Sequence, residues 1–292
     1  MDKETFRLVL AFDGSPAAVQ AARFVAAHTG APTRALALNV QAYPLRALPA
    51  AIVNDAALQG AMMELGWREL EAARAVLQGA QAEVEYAVHI GYPAEIIVRE
   101  ARDRAAHAIV AGTRGRGGAL GLGSIASRVL HGSEFPTLLV KQDARLPAAL
   151  GSRARLVIAT DGSEESMRAA ALVPQWLAWL GEVEAHVVHA LETMPLLEKL
   201  APAHRDSLHQ ESAQHAAETV RACAGALSAC KAVHTHVLAG DPATCIARLA
   251  ADTGADLVVM GTRGRGARSH ALFGSIAMKT VQWSAVPVLL VP

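Results

Sequence analysis

The sequence predicts an α/β protein of two tandem doubly wound domains, each a five-stranded parallel sheet with helices on both faces. One observation is the hexapeptide GTRGRG, which occurs at residues 112–117 and again at residues 261–266. A second is an Asp-Gly-Ser triplet upstream of each copy, which places Asp13 and Asp161 148 positions apart. A third is the alternation of short apolar runs with helical segments throughout both halves. Matched segments in the same order and spacing indicate a tandem duplication.

The chain length agrees with the repeat, because 292 residues favour about two domains. We expect the first domain at residues 1–145 and the second at residues 153–292. The linker is predicted at residues 146–152, where Pro147 and Gly151 are typical of a connecting segment.

The predicted strands are short apolar runs without alternation, as expected when a parallel sheet is covered on both faces. Helical segments between successive strands imply right-handed crossovers and an open sheet. Binding sites in such sheets lie beyond the carboxyl ends of the strands, where the strand order reverses. The strands are predicted at residues 6–12, 33–40, 82–88, 107–112 and 137–141, and at 154–160, 183–190, 232–238, 256–261 and 287–291.

Several helix starts can be predicted from side chains that favour them. Ser15 and Ser163 are expected to be N-caps of the first helix in each copy. Pro93 and Pro242 follow a glycine turn and are expected to open the third helix. The longest helical stretches are predicted at residues 55–81 and 203–229.

Composition excludes several classes of partner. The net charge is zero, so nothing in the charge balance favours nucleic acid or an anionic membrane. Apolar runs are shorter than the roughly 20 residues of a membrane span, and residues 1–8 do not resemble a signal peptide. Cys223, Cys230 and Cys245 lack the spacing of a zinc cluster or disulfide framework. We therefore expect a cytoplasmic protein.

The second glycine-rich segment has the composition of a phosphate-binding loop. Gly261 and Gly264 follow the predicted fourth strand, and Gly274 and Ser275 come nine residues after Gly264. Glycines let backbone amides approach a ligand closely, and a helix that begins at Ser275 would direct its free amides and dipole towards an anion. Because the loop follows the fourth strand and lacks a following acid about 20 residues on, an NAD site is disfavoured.

Two arginines in this segment are candidate phosphate neighbours. Arg263 and Arg265 are close enough in sequence to the loop to compensate phosphate charge. A solvated basic surface is the alternative interpretation. The absence of a GxxxxGK[ST] sequence disfavours a P-loop.

This combination of an Asp after the first strand, Gly-x-Pro before the third helix and Gly-x2-Gly-x9-Gly-Ser after the fourth strand resembles the universal stress protein family. The resemblance covers nearly the whole chain, twice, and implies strand order 3-2-1-4-5 in each domain. It also implies ATP or ADP as ligand, with or without Mg²⁺. Family members with and without nucleotide binding exist, so a glycine loop that serves only as a turn is the alternative.

The resemblance implies roles for particular residues. In the second domain, adenine and ribose would be held by residues around Asp161, and the phosphates by the glycine loop. The implied site of the second domain comprises Ala159, Thr160, Asp161, Ala190, Gly261, Arg263, Gly264, Gly274, Ser275 and Ile276. The equivalent positions of the first domain are Asp13, Val40, Gly112, Gly115, Gly123, Ser124 and Ile125.

The first copy departs from the family pattern. Only seven residues separate Gly115 from Gly123, whereas nine separate Gly264 from Gly274. Two residues correspond to about 7 Å of chain, so the shorter loop cannot enclose the same phosphate chain with unchanged geometry. We therefore predict that the second domain is the better nucleotide site.

Histidines raise the question of a metal site. His234 and His236 alternate along a predicted strand, and a site with His186 is conceivable. Surface or core histidines are the more common explanation, so the sequence assigns no metal. It assigns no catalytic residue either, since no hydrolase, zincin or kinase signature occurs.

Three functional hypotheses follow from these observations. The first is an ATP-binding stress or regulatory protein. The second is a stress scaffold that works without nucleotide, and the third is a slow ATP hydrolase. We also expect the two domains to pair through their fifth strands, residues 137–141 and 287–291, and a homodimer is a further expectation.

Overall fold

The computed structural model describes residues 5–27, 32–43, 55–115, 122–148, 151–192, 202–264 and 274–292. The chain divides into two compact units, Met1–Gly151 and Ser152–Pro292, which are called domain 1 and domain 2 below. The predicted linker contains residues 149 and 150, and these lie outside the described residues.

Strands and helices alternate in both domains. Domain 1 contains β1 (Phe6–Ala11), α1 (Pro16–Ala26), β2 (Thr33–Gln41), α2 (Ala56–Leu77), β3 (Glu83–Ile90), α3 (Pro93–Asp103), β4 (Ala108–Gly112), α4 (Ser124–Gly132) and β5 (Thr137–Val140). Domain 2 contains β6 (Arg153–Ala159), α5 (Glu164–Gln175), α6 (Leu177–Leu180), β7 (Glu182–Leu191), α7 (Pro202–Gly225), β8 (Ala232–Ala239), α8 (Pro242–Asp252), β9 (Leu257–Gly261), α9 (Ser275–Trp283) and β10 (Val288–Val291).

Each domain is built on a parallel sheet. Pairing among the described strands gives the order β3-β2-β1-β4-β5 in domain 1. In domain 2 the order is β8-β7-β6-β9-β10. The predicted doubly wound α/β fold is therefore confirmed. The order reverses between β1 and β4, and between β6 and β9, so a crevice forms beyond the carboxyl ends of these pairs.

The turn from the first strand to the first helix is built in the same way in both domains. Gly14 and Gly162 have φ angles of 73° and 76°, a region that favours glycine because it lacks Cβ. Ser15 then accepts a hydrogen bond from the amide of Ala18, and Ser163 accepts one from the amide of Ser166. Both predicted N-caps are confirmed, and they fix where each helix begins.

The core of each sheet is apolar. Val9, Leu10, Ile109 and Val110 in domain 1 are completely buried. The expectation that every strand would be covered on both faces is wrong for β3 and β8. Among their residues, Glu83 and Glu85 are exposed, and exposure recurs along β8. These are the outer strands of their sheets, so less of their surface is covered.

The long helices end earlier than predicted, because α2 stops at Leu77 and α7 stops at Gly225. Pro93 and Pro242 open α3 and α8 as predicted, each after a glycine with positive φ. Among the described residues, every helix is too short or too polar to cross a membrane.

Candidate functional site

Domain 2 contains a cavity of about 520 Å³ at the carboxyl ends of β6 and β9. Binding pockets for small molecules typically have volumes of about 300–1,000 Å³. All ten residues that the sequence analysis assigned to this site line the cavity: Ala159, Thr160, Asp161, Ala190, Gly261, Arg263, Gly264, Gly274, Ser275 and Ile276. Residues separated by more than 100 positions in the chain are thus brought to one crevice.

Domain 1 has a smaller cavity, of about 310 Å³, in the equivalent place. It too is lined by every residue that the sequence analysis assigned to it: Asp13, Val40, Gly112, Gly115, Gly123, Ser124 and Ile125. Both duplicated segments therefore form a crevice, but the two crevices differ in size.

Side-chain size contributes to this difference. The strand registers equate Leu38 of domain 1 with Val188 of domain 2, and therefore Val40 with Ala190. The shorter side chains of Val188 and Ala190 leave more room at the end of β7 in domain 2. Met260 in place of Ala111 acts in the opposite direction.

The glycine loops are anchored identically at their two ends. The amide of Gly123 donates to the carbonyl of Thr113 over 2.7 Å, and the amide of Gly274 donates to the carbonyl of Thr262 over 3.0 Å. The two-residue difference in length therefore lies between these anchors. The loop interiors, residues 116–121 and 265–273, lie outside the described residues, and so does Arg265.

Close backbone contacts explain why the loop positions are glycines. A Cβ added to Gly115 would stand 2.6 Å from Oδ2 of Asp13, and one added to Gly264 would overlap Oδ2 of Asp161. A Cβ on Gly261 would stand 2.8 Å from the carbonyl carbon of Glu165. Glycine thus lets the loop pass directly beside the aspartate that follows the first strand.

The aspartates also stabilise the turn. Oδ1 of Asp13 accepts the amide of Ser15 over 3.0 Å, and Oδ1 of Asp161 accepts the amide of Ser163 over the same distance. Since one carboxylate oxygen is held by the turn, the side chain is fixed in orientation. Asp13 and Asp161 remain partly accessible at the cavity wall.

The helix that follows each loop begins at the cavity. In α9 the N-cap is Gly274, which forms no side-chain capping hydrogen bond, and α4 begins in the same way at Gly123. The first amides of a helix have no partner within that helix, and they favour an anion. Ile125 and Ile276 are exposed beside these amides, at 38% and 36%. Amides and an apolar surface at one mouth suit a ligand with an anionic and an apolar part.

Sequence reasoning missed two titratable side chains of the cavity in domain 2. Glu192 and His189 line it at the carboxyl end of β7. Neither belongs to a repeated motif, so the comparison of the two halves gave no signal for them. The partner of Arg263 is also new: its Nε lies 4.0 Å from Oε1 of Glu165. Arg263 is about half exposed and lines the cavity.

A second polar cluster lies on β7 and β8. Glu184 lies beside His186 and His234, and His186 contacts His236. Burial lowers the pKa of His186 from its ordinary value, and the neighbouring His234 and His236 lower it further. The hydrogen bond from Arg155 lowers the pKa of Glu184. Sequence reasoning missed Glu184 as a member of this cluster. Its position beside His234 depends on the pairing of β7 with β8, which the sequence of either strand does not reveal.

Taken together, the fold and crevice define a tandem pair of doubly wound α/β domains, each with a glycine loop facing the carboxyl ends of its central strands. A sequence profile described as the universal stress protein family matches residues 5–141 and 153–292. The chain therefore belongs to the universal stress protein family, with two copies of the domain in tandem.

Individual relatives agree with this assignment. A universal stress protein of Thermus aquaticus is 38% identical over 142 residues, covering 47% of this chain and 96% of that protein. One from Methanocaldococcus jannaschii is 31% identical over 140 residues, covering 47% of this chain and 81% of that protein. The crystal structure of a universal stress protein from Archaeoglobus fulgidus has a TM-score of 0.60 and 20% identity, covering 98% of this chain and 95% of that chain. This last likeness shows that the fold extends across both domains.

Proposed function

We propose that the chain binds ATP or ADP in the cavity of domain 2 and acts as a nucleotide-dependent stress-response or regulatory protein. The observation that carries the proposal is the convergence of an aspartate, a glycine loop and an uncapped helix start on one cavity of about 520 Å³. A nucleotide needs an apolar surface for its base, acceptors for its ribose and donors for its phosphates. The described lining residues supply each of these.

The glycine loop and α9 provide the phosphate end. The first amides of α9 have no partner within the helix, Ser275 adds a hydroxyl donor, and Arg263 adds a positive charge. Asp161 and Ala190 lie on the other side, at the ends of β6 and β7, where the nucleoside would bind. A carboxylate is a suitable acceptor for ribose hydroxyls.

Domain 1 is proposed as the weaker site. Its loop is two residues shorter, and its cavity has a volume of about 310 Å³ against about 520 Å³. Shorter side chains at the end of β7 contribute to the difference in volume, and this contribution is independent of loop length. Both effects disfavour a complete nucleotide in domain 1.

Catalysis is not part of the proposal. Phosphoryl transfer needs an acid that holds a metal near the terminal phosphate. The acids lining the cavity among the described residues, Asp161 and Glu192, lie at the nucleoside side. Mg²⁺ that accompanies the nucleotide would be held by phosphate oxygens and water, as is common for this ion. Slow hydrolysis is the alternative, and single-turnover product formation would reveal it.

The test uses two glycines that occupy equivalent positions. Gly274 and Gly123 both have ordinary negative φ angles, and the nearest atoms to an added Cβ are 3.4 Å away. Valine at either position can therefore be accommodated by the backbone while it fills the space in front of the helix amides. Gly274→Val should weaken ATP binding at least tenfold, and Gly123→Val should leave it nearly unchanged.

The measurement is calorimetric titration of nucleotide-free protein with ATP, with circular dichroism to confirm folding. Wild-type protein should bind about one ATP per chain. A flat titration of the wild type would contradict the proposal and favour the scaffold that works without nucleotide. Loss of binding in Gly123→Val but not Gly274→Val would reverse the ranking of the domains.

The cytoplasmic location, the pairing of the domains through their fifth strands and a homodimer stay predictions. Cross-linking and sedimentation of the intact chain test the last two.

A further inference from the structure

Four polar side chains from two neighbouring strands share one face of the sheet in domain 2. Glu184 and His186 occupy alternate positions of β7, and His234 and His236 occupy alternate positions of β8. The strand register pairs His186 directly with His234. Since side chains two residues apart in a strand point to the same face, the four are brought together by the fold.

Three of these side chains bring ligand atoms close together. Oε1 of Glu184 lies 3.3 Å from Nε2 of His186 and 3.5 Å from Nε2 of His234. One ligand atom from each of the three residues lies within 4.8 Å of the others. Zinc bound tetrahedrally at about 2.0–2.1 Å holds its ligand atoms about 3.4 Å apart. The two short separations therefore match the edge of such a tetrahedron.

Neighbouring groups hold the ligand atoms in this orientation. Nδ1 of His186 lies 3.1 Å from Nε2 of His236, so the second ring nitrogen of His186 is occupied. Nε and Nη2 of Arg155 each donate to Oε2 of Glu184 over 3.1 Å, so Oε1 is the oxygen facing the histidines. Metal-binding histidines and carboxylates are commonly oriented by such outer contacts.

Nε2 of His186 is a buried nitrogen that faces the carboxylate of Glu184. The side chain of His186 is about nine-tenths buried, and Nε2 lies 3.3 Å from Oε1 of Glu184 without good hydrogen-bond geometry. A misaligned contact of this kind stabilises a buried polar atom less than a well-formed hydrogen bond does. A metal ion bound between Nε2 and Oε1 would contact both atoms.

Domain 1 does not repeat the cluster. The strand registers place Arg34, Leu36 and Glu85 where domain 2 has Glu184, His186 and His234. Arg34 and Leu36 are not suitable ligands. The cluster is therefore not part of the duplicated crevice, and it requires a separate explanation.

We propose that Glu184, His186 and His234 bind one divalent transition-metal ion of the zinc class, with water as the fourth ligand. Two imidazoles and a carboxylate suit Zn²⁺, and they also accept Ni²⁺ or Cu²⁺. The side chain of His234 is half exposed, so the ion can enter from solvent and keep an open position.

The test is titration of metal-free protein with Zn²⁺ in competition with a chromophoric chelator. Wild-type protein should bind one Zn²⁺ per chain, and His234→Ala and Glu184→Gln should each weaken binding at least tenfold. His209→Ala is the matched control, because His209 is an exposed histidine of α7 outside the cluster. Its affinity should equal that of the wild type.

A second readout distinguishes this site from the thiols. Co²⁺ bound by nitrogen and oxygen should give the visible bands of a tetrahedral ion without the near-ultraviolet band of a thiolate ligand. The proposal fails if wild-type protein shows no saturable binding at one ion per chain. It fails equally if the two cluster variants bind like the wild type, or if the spectrum shows a cysteine ligand.

Discussion

The hydroxyl of Ser15 donates a hydrogen bond of 3.1 Å to the carbonyl of Arg114, so the start of α1 is joined directly to the glycine loop of domain 1. In domain 2 the equivalent hydroxyl, that of Ser163, donates over 2.6 Å to Oδ1 of Asp161. A serine hydroxyl has one proton to donate. Ser163 therefore stabilises the aspartate of the crevice, while Ser15 stabilises the loop.

Replacing each serine with alanine should separate these two roles. Ser15→Ala and Ser163→Ala should both lower the free energy of unfolding by about 0.5–2 kcal/mol, because each removes an N-cap. Ser15→Ala should in addition speed hydrogen exchange at Gly123, whose amide closes the loop of domain 1. Equal exchange at Gly123 in wild type and Ser15→Ala would show that the bond to Arg114 does not order the loop.

A methyl group at Gly264 should disturb the crevice of domain 2. Its Cβ would overlap Oδ2 of Asp161, so the aspartate must move. We expect Gly264→Ala to weaken ATP binding at least tenfold, about 1.4 kcal/mol. Gly60→Ala is the control, since nothing lies within 4 Å of a Cβ there, and in helix α2 it should stabilise the protein by about 0.5–1 kcal/mol. Unchanged ATP affinity in Gly264→Ala would contradict the assigned role of Asp161.

Exchanging the side chains at the ends of β2 and β7 should shift affinity between the domains. Ala190→Val narrows the larger cavity at its nucleoside side, so it should raise the dissociation constant for ATP several-fold. Val40→Ala widens the smaller cavity, and detectable binding of adenosine in domain 1 is the expected gain. Titrations with ATP and with adenosine check both changes. If neither variant differs from the wild type, side-chain volume at this position does not set the preference.

The N-cap of α8 should make stability depend on pH. The backbone hydrogen bond from Thr244 lowers the pKa of Asp241 below its ordinary 3.8, and the hydroxyl of Thr244 and Lys279 lower it further. Because the folded state prefers the ionised carboxylate, this contribution is present above the unfolded pKa and is lost as pH falls through the lower folded pKa. Asp241→Asn keeps a capping oxygen without the charge.

Urea unfolding of both proteins between about pH 6 and pH 3 checks this sign. The stability advantage of wild type over Asp241→Asn should shrink at the acidic end. A constant difference across the range would show that the carboxylate charge does not contribute.

Tyr92 holds the equivalent N-cap position of α3 and forms no side-chain cap, so Tyr92→Asp should raise the free energy of unfolding by about 0.5–2 kcal/mol.

Removal of the last six residues should disrupt domain 2. These residues contain β10, which is buried along its whole length and pairs with β9 from Val288 to Val291. Its loss would expose apolar surface and leave the hydrogen-bonding groups on one edge of β9 without partners, because β9 would still pair with β6. Aggregation, or loss of the cooperative unfolding transition of domain 2, is expected in calorimetry. A soluble truncated chain with two intact transitions would contradict this expectation.

Much of the fold could be predicted because its signals are local. The glycine turns, the N-caps Ser15 and Ser163 and the apolar strands depend on neighbours within a few residues, and the duplication provides each signal twice. The early ends of α2 and α7 were not predicted, since Ala-rich and Glu-rich sequence favours helix on both sides of the observed ends. Exposure along β3 and β8 was missed because position at the edge of a sheet is a property of the whole domain.

The sequence by itself determined the duplication and the doubly wound class, because regular spacing of glycine, aspartate and apolar runs constrains the backbone directly. Its resemblance to the universal stress protein family indicated the residues that line the two crevices. Only the tertiary structure decided the size of each crevice and the meeting of Glu184 with His186 and His234. Cavity volume depends on side chains from several strands at once, and the cluster depends on the register between β7 and β8. Both are relations between distant segments, which are fixed when the strands pair and the helices pack against them.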